Sequence, residues 1–203
     1  MTEPASPDAS TAAPPDADAD ADAEMLARYA AGDGAAARRL ADRHLPRVLS
    51  FARRMLGDAA EAEDVAQEAM LRLWRIAPRW RTGEARISTW LYRVTANLCT
   101  DRLRRRRPGA EMPEVADPAP GVLAELMAAD RAAALEAALA LLPERQRQAV
   151  VLRHIEGLGN AEIAEVMDSG IEAVESLIAR GRRGLAAALA PRRAELGYGD
   201  DGT

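Results

Sequence analysis

The sequence predicts an all-α fold: two small helical domains joined by a proline-rich linker, the second containing a helix-turn-helix. Three observations predict it. The 203 residues are 48% hydrophobic but only 3% aromatic, rich in alanine and poor in β-branched runs, a composition that favours helices. Apolar residues recur at three- and four-residue spacing through most of the chain. One stretch, residues 108–121, holds Pro108, Pro113, Pro118 and Pro120 with Gly109 and Gly121, and no core can form there.

The elements follow in order. Residues 1–23 are Ala/Asp/Pro low complexity and are expected to be a disordered acidic tail. Residues 1–24 carry seven acidic groups and no basic one, so the net charge of −5 becomes +2 once these seven are set aside. A helix is expected from near Ala23, with Leu26, Tyr29 and Ala30 on its apolar side, broken by Gly32 and Gly34. A second spans residues 35–56, kinked at Pro46, and ends at Gly57–Asp58. A third covers residues 59–76. A loop over 78–86 holds Trp80 and Gly83. The fourth helix starts with Ser88 as its N-cap and Ile87 stapled onto Tyr92. Its buried face is Ile87, Leu91, Val94 and Leu98.

Beyond the linker a helix is expected over 122–141. Another starts at Pro143, a residue suited to a first turn, and runs to Ile155. Gly157–Gly159 is a turn. A short helix over 160–167, a tight turn at Asp168–Gly170 and a helix over 171–189 complete a helix-turn-helix. The last helix is expected to bury Ile171, Val174, Ile178, Leu185 and Leu189. The domains are thus 24–107 and 122–190, with a tail over 191–203.

Composition excludes several classes. One cysteine, Cys99, and two histidines, His44 and His154, leave no disulfide framework and no Cys/His zinc site. The histidines are far apart in sequence and have no evident partner. No run of about 18 apolar residues and no signal-peptide pattern occurs, which points to a cytoplasmic protein without membrane insertion. No nucleophile–base pair or phosphate-cradling loop is visible, so neither catalysis, a cofactor nor a small-molecule substrate is expected. Glu61, Asp64 and Glu68 stack on one helix face beside Gln67. A di-metal helix would need a Glu-x-x-His partner, and the sequence has none. A docking face for a basic protein and a plain solvated face both remain open.

Residues 86–107, RISTWLYRVTANLCTDRLRRRR, make nucleic acid the leading partner. Trp90 and Tyr92 stand at the start of a helix that ends in an arginine run. Rings beside dense positive charge suit bases pulled out of a duplex. Trp90, Arg93, Asn97 and Arg104 share a second face, carrying groups that stack on bases, hold phosphates and read base edges. The alternative is a surface helix with a solvated basic end. The helix-turn-helix would lay its second helix in a major groove, with Arg180, Arg182 and Arg183 near phosphates. An ordinary helical hairpin is the competing reading.

Three blocks in this order resemble a bacterial RNA polymerase sigma factor of the extracytoplasmic-function (ECF) group: DVAQEAMLRLWR (64–75), STWLYRVTANLCTDRLRRRR (88–107) and, within 142–185, LPERQRQAVVLRHIEGLGNAEIAEVM with EAVESLIARGRRGL. The resemblance covers residues 24–190. It implies that 24–107 is sigma region 2 and 122–190 is region 4, with region 3 replaced by the linker. It further implies an alternative transcription initiation factor that binds core polymerase, directs it to specific promoters and promotes melting. Asp64, Gln67, Glu68, Leu71 and Trp74 would then dock on the β′ clamp helices, while the β flap is a second polymerase contact. Trp80, Arg86, Trp90, Tyr92, Arg93, Asn97, Arg102 and Arg104 would handle the minus-ten element. Ser176, Arg180, Arg182 and Arg183 would contact the minus-thirty-five element. An anti-sigma factor is an expected partner, and the bound protein is expected on the nucleoid.

The recognition helix departs from the family's usual GTVKSRLxRAR, with Glu172, Ala173, Glu175 and Leu177 in place of Gly, Thr, Lys and Arg. Acids there repel phosphate, though glutamate can accept from a cytosine amino group. A stand-alone helix-turn-helix regulator is the alternative function, and it leaves residues 61–107 without a role.

Overall fold

The computed structural model describes residues 15–81, 83, 85–106 and 123–192. Among them every regular element is helical: α1 Pro15–Ala30, α2 Gly34–Leu56, α3 Ala59–Ile76, a 3-10 turn Ala77–Arg79, α4 Ile87–Arg105, α5 Leu123–Ala140, α6 Glu144–His154, α7 Asn160–Val166, α8 Ile171–Leu189 and a closing 3-10 turn Ala190–Arg192. Of the acidic tail expected to be disordered over 1–23, residues 1–14 lie outside the described residues and the remainder is helical from Pro15; the linker over 108–121 and the tail beyond 192 also lie outside the described residues.

Local chemistry sets most boundaries. Asp33 caps α2, its Oδ1 accepting from the backbone N–H groups of Ala35 at 2.9 Å and Ala36 at 3.2 Å. Arg28 clamps the other carboxylate oxygen at 2.7 Å. Gly57 closes α2 in the left-handed region at φ 68°, where a glycine costs least. Asp58 caps α3 by accepting from the Glu61 N–H. Pro46 sits on an exposed face within α2, which runs on through it.

Five expectations are corrected. α1 begins at Pro15 rather than near Ala23, because Asp22 is buried and tied to α2. Its carboxylate meets Nε2 of buried His44 at 2.7 Å and Nη1 of Arg43 at 2.9 Å, so His44 does have a partner. The N-cap of α4 is Arg86, not Ser88. Ile87 and Tyr92 belong to different apolar clusters, so the staple does not form. Ile171 is 49% exposed rather than buried; the turn residue in the left-handed region is Asp168, at φ 46°.

Helix α2 is the hub, packed by α1, α3, α4, α5 and α6. One apolar cluster lies within the N-terminal half and includes Leu26, Leu40, Leu73, Ile87 and Leu91. The other crosses the predicted domain boundary. It joins Phe51, Met55, Val65, Tyr92 and Cys99 to Leu139, Leu142, Leu152, Ile163 and Val174. Each such side chain contributes about 1.5–3 kcal/mol when fully buried, so the two halves stabilise one another. α4 is buried on both flanks, leaving Arg93, Asn97, Asp101, Arg104 and Arg105 exposed.

Candidate nucleic-acid and protein interfaces

The buried stripe of α3 is Ala62, Val65, Ala66, Ala69, Met70 and Leu73. The opposite stripe collects the sequence-predicted docking residues. Asp64 is 70% exposed, Gln67 is exposed, and Leu71 is 48% exposed, unusual for a leucine with neighbours available. Glu68 accepts from Arg72 Nε at 2.8 Å and lies 3.7 Å from Arg75. The Arg72 hydrogen bond holds its carboxyl below the usual carboxylate range, against the opposing effect of burial. This face therefore carries fixed negative charge beside an exposed apolar side chain. Trp74 stands apart, half-buried and tilted against Tyr29 with ring centroids 4.8 Å apart.

At the start of α4 the structure brings Trp80 and Trp90 edge to face, with centroids 6.0 Å apart. The 3-10 turn delivers Trp80 to this pair. Its indole N–H is buried without a partner among the described residues. Arg93, Asn97 and Arg104 follow on the exposed side of α4 and line one wall of a cleft of about 480 Å³. Its other wall comes from the C-terminal half: Glu144, Arg145, Gln148, Val166, Met167 and Asp168.

Two of the minus-ten candidates lie elsewhere. Tyr92 is 3% exposed, packs edge-on against Phe51 and donates its hydroxyl to Glu156 at 2.5 Å. Burial first, and the Glu156 hydrogen bond second, push its phenol above the ordinary range. It forms no ring platform with Trp90. Arg102 turns inward to the carbonyl of Glu61 at 2.8 Å, with Asp64 at 3.7 Å. Neighbouring Arg106 joins it, reaching the Leu56 carbonyl and the Glu61 carboxylate at 2.7 Å each. These arginines hold the α2–α3 corner, where cations near helix-end carbonyls are favourable. Arg86 is half-exposed and donates to Glu162 at 3.2 Å.

In the helix-turn-helix, Glu162 also accepts from the Gly159 N–H at 2.8 Å and so caps α7. Ser176, Arg180 and Arg183 fall within one narrow arc of α8 at helical spacing. Arg182 lies off that arc, toward α6, where its charge and Arg153 join burial in lowering the His154 pKa. Glu175 is engaged by the Asn160 amide at 3.2 Å. No group of three metal-binding side chains occurs among the described residues, and none of their helices is long and apolar enough to cross a membrane.

Sequence reasoning missed the carboxylates that face α4 from the C-terminal half. Thr100 donates to Glu144 at 2.6 Å, and Tyr92 and Arg86 meet Glu156 and Glu162. Arg147 adds a fourth crossing, donating to the Met55 carbonyl at 2.9 Å. No local pattern signals such pairs, because the partners stand 44 to 92 residues apart.

Comparison with known proteins supplies the frame. Residues 40–108 match the family model for Sigma-70 region 2, and residues 132–185 that for Sigma-70 region 4. The chain is 32% identical over 167 residues to the ECF RNA polymerase sigma factor SigW of Bacillus subtilis, covering 76% of this chain and 89% of that protein. It is 36% identical over 175 residues to the ECF RNA polymerase sigma factor SigM of Mycobacterium tuberculosis, covering 82% and 84%. Among solved structures, CnrH in complex with the cytosolic domain of CnrY matches with a TM-score of 0.64 at 27% identity, covering 84% of this chain and 98% of that one.

Proposed function

The chain belongs to the ECF RNA polymerase sigma factors, and from that membership we propose how its surfaces divide the work of an alternative transcription initiation factor. It binds core RNA polymerase, directs it to specific promoters and promotes their melting. Asp64, Gln67, Glu68 and Leu71 on the exposed stripe of α3 meet the β′ clamp helices, with Trp74 bracing the helix from behind. The Trp80–Trp90 pair receives a minus-ten base extruded from the stack. Arg93 and Arg104 hold phosphates, and Asn97 reads a base edge. Flipping a base costs a few kcal/mol, and stacking on an aromatic returns about 1–3 kcal/mol per base. Ser176, Arg180 and Arg183 approach the minus-thirty-five element, with Arg182 at the edge of that contact. An anti-sigma factor is a further partner, by analogy with the Bartonella quintana sigma factor RpoE, which was solved in complex with the anti-sigma factor NepR.

The carrying observation is the Trp80–Trp90 pair at the head of a helix whose exposed side is Arg93, Asn97 and Arg104. A stand-alone helix-turn-helix regulator uses none of these. The test is transcription in vitro with core polymerase and promoter fragments from the source genome. Specific start sites sharing two spaced motifs are expected. Asn97→Ala should impair opening while sparing polymerase binding, and Asp64→Ala with Glu68→Ala should weaken competition for core. The absence of transcripts beside an active control sigma factor on the same core would overturn the reading.

A further inference from the structure

The recognition helix carries an exposed acid that a neighbouring helix holds in place. We propose that Glu175 is a specificity-determining residue that selects a cytosine in the minus-thirty-five element, and that Asn160 of α7 is the positioning residue that holds its carboxylate for that task. The inference rests on the minus-thirty-five reading of α8 given above and goes beyond it by naming the base.

α8 buries Val174 and Gly181 and leaves Glu172, Glu175, Ala179, Arg180 and Arg183 exposed. The side chains next to Glu175 on that surface are short: Ser176 follows it, and Ala179 lies one turn on. The Asn160 amide reaches across the helix-turn-helix and donates to Glu175 Oε1 at 3.2 Å. The second carboxylate oxygen has no hydrogen-bond partner among the described residues. Asn160 Oδ1 is buried and likewise finds none. An unpaired buried acceptor destabilises, so this amide is a poor device for holding two helices together. Buried Ile163, Val166 and Val174 serve that end. What the amide does achieve is to restrict a long exposed side chain that would otherwise sample many rotamers. A carboxylate ordered in advance loses less freedom on binding.

The sign of the charge names the ligand. A carboxylate is repelled by phosphates, so Glu175 adds nothing to general DNA affinity. Arg180 and Arg183 supply that attraction from the same helix. Among base edges in the major groove, guanine shows the acceptors N7 and O6, and thymine shows O4 and a methyl group. Adenine sets its amino group beside the N7 acceptor, whereas cytosine offers an amino donor with no acceptor of its own beside it. Glu175 therefore accepts a hydrogen bond from cytosine and meets repulsion or an unpaired contact at the other three. Rejection contributes to such a choice as much as attraction does.

The test uses the full chain with core polymerase on a promoter randomised in its minus-thirty-five element, each template carrying a transcribed barcode. At one position wild type is expected to favour cytosine about tenfold over the other bases, as a good base contact gives. In Glu175→Gln that preference should fall below about threefold, with adenine the favoured substitute, because an amide accepts from N6 and donates to N7. Total transcription should not fall, since the variant removes a repulsion. Asn160→Ala should loosen the same position and leave every other position unmoved, a pattern that general loss of structure does not produce. Glu165→Gln, the same charge change at an exposed residue of α7, should match wild type. A cytosine preference that survives Glu175→Gln, or a moved position whose wild-type base is not cytosine, would overturn the proposal. A preference left intact by Asn160→Ala would overturn the positioning role. If that variant does not fold, as judged by circular dichroism, Asn160→Ser, too short to reach the carboxylate, decides by the same criterion. Silence from every template beside an active control sigma factor on the same core removes the assigned function, whereas transcription with a base profile indifferent to Glu175 removes only this inference.

Discussion

Tyr92 and Trp90 stand two residues apart on α4 and meet different environments, one sealed against Phe51 and Glu156, the other half-buried and edge to face with Trp80. Removing the phenol hydroxyl leaves the Glu156 carboxylate, itself 9% exposed, without its donor. Tyr92→Phe is therefore expected to destabilise the chain by about 1.5–3 kcal/mol, the range for hydrogen bonds to charged groups; urea denaturation checks it. Cys99 is fully buried, and burial pushes its thiol from 9.0 to about 12. The thiol ionises in the unfolded chain before it does in the folded one. Stability linked to it is complete below pH 9.0 and falls as the pH rises toward about 12. Cys99→Ala should flatten the pH dependence of the denaturation midpoint over that window. At this scale the sequence was legible where the signal was local. The grouping of Asp64, Gln67 and Glu68 on one helix face follows from helical spacing alone. The inward turns of Tyr92 and Arg102 do not, since their partners lie 64 and 41 residues away.

Among the elements, α8 shows how backbone proximity constrains sequence. A Cβ at Gly181 would sit 2.5 Å from Val150 Cγ2 and 3.1 Å from the Gln146 carbonyl oxygen. At Gly184 the obstacle is one methyl, Leu142 Cδ2 at 2.7 Å. A backbone carbonyl cannot swing aside, whereas a leucine methyl can. Gly181→Ala is expected to lose about 1–3 kcal/mol to overpacking, offset in part by the helix preference for alanine, and Gly184→Ala to be near neutral. Thermal melts of the two variants check the contrast. Helix existence was legible throughout, because the 3.6-residue period is a local property. Boundaries were less so. The early start of α1 depends on the Asp22–His44–Arg43 cluster, which no window around residue 15 contains. The start of α4 at Ile87 follows from packing against α2 and α3, which overrides the capping preference of Ser88.

Across the whole molecule, the division into two domains was readable from the proline linker, but their mutual packing was not. A proline-rich linker sequence signals only a break between cores, and the apolar cluster that spans both halves is assembled from side chains that each look like ordinary core. The packing carries a clear expectation. Trp74, Trp80 and Trp90, the chain's three tryptophans, all lie in region 2, so fluorescence reports that half while circular dichroism reports every helix. Coincident denaturation midpoints by the two probes are expected. Midpoints that separate would show that the halves unfold independently.

The shared cluster also bears on how such a chain can be rebuilt. Leu139, Leu142 and Val150 from one half interlock with Phe51, Met55 and Tyr92 from the other, so the halves are not interchangeable cassettes. A graft that carries a relative's recognition domain must bring side chains that mate with this particular surface, or the hybrid exposes apolar area on both sides of the join. Changing promoter preference by module exchange therefore also changes folding stability.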